Sequence, residues 1–186
     1  MNMKIAEFGE AELRRKAREV GISEIKTAKF QSHIKEMRDF LTSKKLGVGL
    51  AAPQVGKSLS LAIVMIQPTK HRPDAECFDL VIINPIIIKT YGNHCQMWEG
   101  CISGGPAKSS LFAKVPRYKK IQLKYLDENK KPHTKTFQGL AAQVIQHEVD
   151  HLNGILFVDK VKDTKSYCTY RQYLKMIKQS KVKNAK

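Results

Sequence analysis

The segment Gln146-His147-Glu148-Val149-Asp150-His151 concentrates the chemistry of this chain. On an α-helix, positions four apart share a face, so His147 and His151 can turn two imidazoles toward one metal ion. Glu148, next to His147, would sit beside that ion without being forced to bind it. That is where a general base takes a proton from a water the metal activates. Leu140, Val144, His147 and His151 form one continuous helical stripe, so a packed core face is the competing reading. A glutamate interposed between two histidines at this spacing favours the metal.

A catalytic site of the zinc type takes three protein ligands and keeps one position open. Three residues beyond Gly154, where a metzincin protease carries its third ligand, stands Phe157, which cannot bind metal. The only acids after His151 are Asp159 and Asp163, a poor match to the later glutamate of thermolysin-like proteases. Upstream lies Trp98-Glu99-Gly100-Cys101-Ile102-Ser103. Cys101, flanked by glycine and small residues, suits a sharply turned loop or strand end, and a divalent metal would hold it as thiolate. Cys77, Cys95 and Cys168 read as small buried hydrophobes. Four cysteines in a chain this long do not make a disulfide framework, which points to a reducing compartment.

The elements that must position these groups follow from periodicity. Residues 23–41 predict an amphipathic helix, with Ile25, Ala28, Ile34, Met37 and Leu41 on one face and Ser23 or Thr27 as its cap. A glycine-punctuated turn spans residues 47–56. Residues 59–66, 80–83, 86–89 and 121–125 predict strands, and Asp127 to Lys130 a hairpin turn returning as a strand over 133–137. Residues 139–152 return to a helical period, with Gly154 at the C-terminal cap. Strands in the middle and helices at both ends predict an α+β fold: antiparallel strands around a central metal-binding helix, with an N-terminal and a C-terminal helix.

Three motifs in order, GVGLAAPQVG (47–56), EGCIS (99–103) and QHEVDHLNG (146–154), resemble those of peptide deformylases. VIINP (81–85) and VPR (115–117) add to the resemblance, which reaches to about Phe157. It implies a hydrolase that removes the formyl group from the N-terminal methionine of newly made polypeptides. It also implies one divalent metal held by Cys101, His147 and His151: iron in the most active form, with zinc, nickel or cobalt also suited to these donors. Glu148 would carry the proton. The Gln54 side-chain amide and the backbone N–H of Ile102 would stabilise the oxyanion. Gly49 would let the first loop approach the substrate backbone. Val48, Val144 and Leu140 would line an apolar pocket for the methionine side chain. The chain departs from the family pattern in Ile102, in the glycine-containing stretch of residues 102–114, and in Trp98, which either covers the site or packs. The rivals are another HExxH metallohydrolase and a non-catalytic relative that binds through a basic face.

The chain has 186 residues, 42% of them hydrophobic, with 33 Lys plus Arg against 17 Asp plus Glu. That excludes a mainly disordered chain and fits a single catalytic domain over residues 1–186. No apolar stretch reaches the roughly 18 residues that cross a bilayer, and the N-terminus lacks a secretory or transit pattern. The expected setting is the cytoplasm, with a monomer and no membrane partner. Residues 160–186 form a basic tail with nine Lys or Arg and one acid, half of the net charge of +16. Tyr170, Tyr173, Leu174 and Ile177 recur at helical spacing there. A polyanion such as the ribosome surface is its functional reading, a solvated terminal helix its plainer one.

Overall fold

The structure, a computed structural model, describes residues 3–44, 47–69, 75–106 and 110–183, with side chains described as far as 179. The N-terminal segment runs extended and passes through a 3-10 turn, Ala11–Arg14. Then come a one-turn helix α1 (Ile22–Ile25), a long helix α2 (Ala28–Ser43), and strands β1 (Gly49–Ala51), β2 (Leu61–Ile66), β3 (Phe78–Gly100), β4 (Leu111–Leu126) and β5 (Pro132–Gln138). Helix α3 (Gly139–Leu152) follows, then the two-residue strand β6 (Cys168–Thr169) and helix α4 (Tyr170–Lys183). The strands pair antiparallel in chain order from β1 to β5, and β6 joins the N-terminal end of β4. The α+β architecture read from the sequence is the observed one.

Strand β2, Leu-Ala-Ile-Val-Met-Ile, explains how two helices share one sheet. Successive side chains alternate between faces. Ala62, Val64 and Ile66 pack with Ala142, Val144, Ile145 and Leu152 of α3. Leu61 and Ile63 pack with Phe30, Ile34, Met37 and Leu41 of α2. Each such buried Val, Leu, Ile, Met or Phe side chain contributes about 1.5–3 kcal/mol relative to exposure. The sheet is therefore clamped between helices, and α3 lies flat across it with its histidines at one end of β3.

Two local readings change. The helix expected over 23–41 is broken: α1 ends at Ile25, and Thr27 restarts the chain as N-cap, its hydroxyl accepting from the N–H of Phe30 at 3.3 Å. The strands expected over 80–83 and 86–89 are one strand. Asn84 takes a left-handed φ of 51° at a bulge in β3, and its side-chain amide bonds both backbone polar groups of Val20, each at 2.9 Å. The side chain thus replaces pairing that the bulge disrupts, and β3 continues instead of ending. Beyond it Ile86 and Ile88 are exposed. The hairpin after β4 forms as expected, with Asp127 Oδ1 accepting from the N–H groups of Asn129 and Lys131. Gly154 follows the α3 C-cap at φ 72°. Of the stretch 102–114, residues 107–109 lie outside the described residues, as do residues 184–186 of the basic tail.

Candidate metal centre

Helix α3 puts His147 and His151 on one face, their ring centroids 4.9 Å apart. The end of β3 brings Cys101 to the same point: its Sγ lies 3.2 Å from His151 Nε2. One donor atom from each of the three residues falls within 4.8 Å of the others. Tetrahedral bonds of about 2.1–2.3 Å separate ligand atoms by roughly 3.4–3.8 Å, so one thiolate and two imidazoles here fit a single divalent cation with a position to spare. Burial lowers the His151 pKa well below its usual value, toward the neutral ring a metal needs.

Glu99 sets the orientation of His147. Its Oε2 lies 3.0 Å from His147 Nδ1, which leaves Nε2 for the site. Arg117, 1% exposed, holds the same carboxylate with two hydrogen bonds of 2.7 and 2.9 Å and reaches Asp150 with its Nη1. Lys160 closes the chain, donating to Asp150 at 2.9 Å. Burial alone would raise the Glu99 pKa; the hydrogen bonds from Arg117 and His147 overcome it and bring the pKa down to about 2. An anionic carboxylate thus faces His147 throughout the physiological range.

Glu148 is almost fully buried, and its Oε2 has no hydrogen-bond partner among the described residues. Burial pushes its pKa up to about 7, where a carboxylate both accepts and returns a proton readily. Gly49 makes this placement sterically allowed. A Cβ there would stand 2.1 Å from Glu148 Oε1 and 2.7 Å from its Cδ. The reason for a glycine at this position is therefore room for Glu148, in addition to any approach of substrate. Gln54, also buried, has its side-chain oxygen fixed by the Ala51 N–H at 2.9 Å. That turns its amide nitrogen toward Cys101 Sγ at 3.4 Å and Ser103 Oγ at 3.1 Å. Ile102 opens a one-turn 3-10 helix, Ile102–Gly104, whose first N–H groups have no partner within the helix.

Val48, Leu140 and Val144 line a cavity of about 280 Å³ beside Cys101, His147 and Glu148. All ten site residues read from the sequence therefore converge. Sequence reasoning gave no role to Glu99, Arg117 and Asp150, although each lies inside a motif already singled out. Only their long-range pairing shows that they act together. It also missed Gln143, whose amide donates to the Trp98 carbonyl at 2.9 Å, and it read the apolar side of α4 without placing it at the cavity that it borders.

A helix carrying His-Glu-x-x-His, with a thiolate delivered from a strand end, defines a metallohydrolase centre. The polypeptide deformylase family model matches residues 2–167. A peptide deformylase of Christiangramia forsetii is 38% identical over 89% of this chain and 84% of its own length. That of Chlorobaculum parvum is 41% identical over 76% and 72%. Among solved structures, the class I type b peptide deformylase of Acinetobacter baumannii with Met-Ala-Ser bound superposes with a TM-score of 0.79 at 34% identity, over 87% of this chain and 99% of that one. The enzyme of Synechococcus elongatus in complex with actinonin gives 0.76 at 35% identity, over 89% and 81%. The chain belongs to the peptide deformylase family, hydrolases that take the formyl group from the N-terminus of new polypeptides.

Proposed function

We propose that formyl-methionyl peptides are hydrolysed at one divalent cation held by Cys101, His147 and His151, with Glu148 as general base. The observation that carries this is the convergence of those three donor atoms within 4.8 Å beside the cavity that Glu148 lines. Bound there, the cation supplies Lewis acidity, lowering the pKa of a water and polarising the formyl carbonyl; ferrous iron, zinc, nickel and cobalt all suit the donors.

The protein's own groups do the rest. Glu148 takes a proton from the attacking water as the new C–O bond forms at the formyl carbon. It returns that proton to the amine as the C–N bond breaks, and formate leaves. The Gln54 amide and the Ile102 N–H are the donors for the developing oxyanion. Val48, Leu140 and Val144 receive the methionine side chain, and Gly49 lets the substrate backbone pass close to the first loop. Residues 1–186 act as one catalytic domain, monomeric and cytoplasmic. On α4 the exposed Arg171, Lys175 and Lys178 offer a basic face for the ribosome surface. If lysine-to-glutamate substitutions at Lys175 and Lys178 left salt-sensitive ribosome binding unchanged, that docking role would be discarded.

The deciding experiment is formate release by Glu148→Ala against the parent, with metal content measured in both. Retained metal and lost turnover are expected. Comparable turnover would remove Glu148 from the chemistry.

A further inference from the structure

We propose that α4 determines substrate specificity: Tyr173, Leu174 and Ile177 form the outer wall of the cavity that receives the first side chain of the formylated peptide. This rests on the deformylase reading above and adds to it a wall from outside the segment that the family model matches, which ends at residue 167.

These three residues line the same cavity as Cys101, His147 and Glu148. The opposite face of the helix carries the exposed Arg171, Lys175 and Lys178, so charge is kept away from the cavity. What fixes the helix there is a chain of contacts that begins at the ligand loop. Cys101 O accepts from Ser110 Oγ at 3.2 Å, and Ser110 O accepts from the N–H of Tyr170, the first residue of α4, at 3.0 Å. Strand β6 pairs with Leu111 and Phe112 just before the helix starts.

The ring contacts make the placement tighter. Phe112 lies so close over Gly100 that a Cβ there would stand 2.5 Å from its ring. The other face of the arrangement is Tyr173, stacked on Phe112 at 4.6 Å and 16°, with Trp98 5.6 Å away. Gly100, Phe112 and Tyr173 are thus layered outward from the residue next to Cys101. An unbranched, polarizable thioether fits a wall of this kind, because it follows an irregular apolar surface and gains from sulfur–aromatic contact. A short side chain would not reach it.

The test uses the full-length, metal-loaded enzyme and two peptides, formyl-Met-Ala-Ser and formyl-Ala-Ala-Ser, with formate release measured as kcat and KM. Two variants are compared with the parent: Tyr173→Ala, and Ile177→Ala, which leaves the stacked rings in place. Each is expected to lose about tenfold in kcat/KM on the methionine peptide, mainly through KM, and less than about twofold on the alanine peptide. Metal content should match the parent. Equal losses on both peptides, or no loss on either, would overturn the proposal. A parent that releases no formate from either peptide would instead bring down the deformylase reading beneath it.

Discussion

Gly49→Ala isolates the steric arrangement on which Glu148 depends. The added Cβ would stand 2.1 Å from Glu148 Oε1, 2.7 Å from Cδ and 2.9 Å from Cγ, against an ordinary contact distance of 3.4 Å or more. Strand β1 cannot yield, because Gly49 pairs with Val64 and its neighbours Leu50 and Ala51 are fully buried. The carboxylate is the far end of a flexible side chain, so it is what moves, by about 1.3 Å. Misplacing a reacting group by about 1 Å costs on the order of 10²-fold in rate, and losing a general base altogether 10²–10⁴-fold. Overpacking adds about 1–3 kcal/mol of destabilisation, which a folded domain tolerates. The expected outcome is a folded variant with the parent's metal content and formate release reduced at least about 100-fold, the loss lying in kcat. Steady-state kinetics on formyl-Met-Ala-Ser with metal analysis of the same sample reads all three quantities. Turnover within about threefold of the parent would refute the reasoning, since it would mean that the base works equally well from a displaced position.

Three further outcomes follow from the buried charges and the ligand set. Glu99→Gln replaces the anion facing His147 Nδ1 and should weaken metal affinity about 10–100-fold, measured by competition with a chromophoric chelator. Arg117→Met strands the buried Glu99 carboxylate, leaves Asp150 with Lys160 alone, and should cost about 3–5 kcal/mol of stability, read from urea unfolding. Stripping the metal with a strong chelator should abolish formate release and lower the thermal midpoint, and adding back cobalt, nickel or ferrous iron should restore both.

What local periodicity could decide, it decided. Helix α3 runs over residues 139–152 as its pattern requires, because two histidines four apart on an apolar stripe share a face whatever surrounds them. The turn at Asp127 likewise depends on hydrogen bonds within five residues. The break at Lys26 and the merged strand β3 were not legible in this way. In the first, Thr27 was one of two caps the sequence offered, and periodicity did not show that the turn before it forms a separate helix. The second turns on Asn84 finding Val20, distant in the chain, to satisfy its amide.

The same division holds at the site. The order and spacing of the motifs named Cys101, His147, His151, Glu148 and Gln54, since such residues must be present for the chemistry and their types are visible in a string of letters. Only the folded chain could show that Glu99, Arg117 and Asp150 form one buried charge system, or that Gly49 is small on behalf of Glu148. Helix α4 shows the same limit: its apolar and basic sides were legible as helical spacing, but that the apolar side lines the cavity beside Cys101 was not. Charge and periodicity are properties of a segment and can be read along it. Which partner a buried carboxylate meets, and which cavity a helix covers, are properties of distance between segments, and those exist only once β3, β4 and α3 have packed.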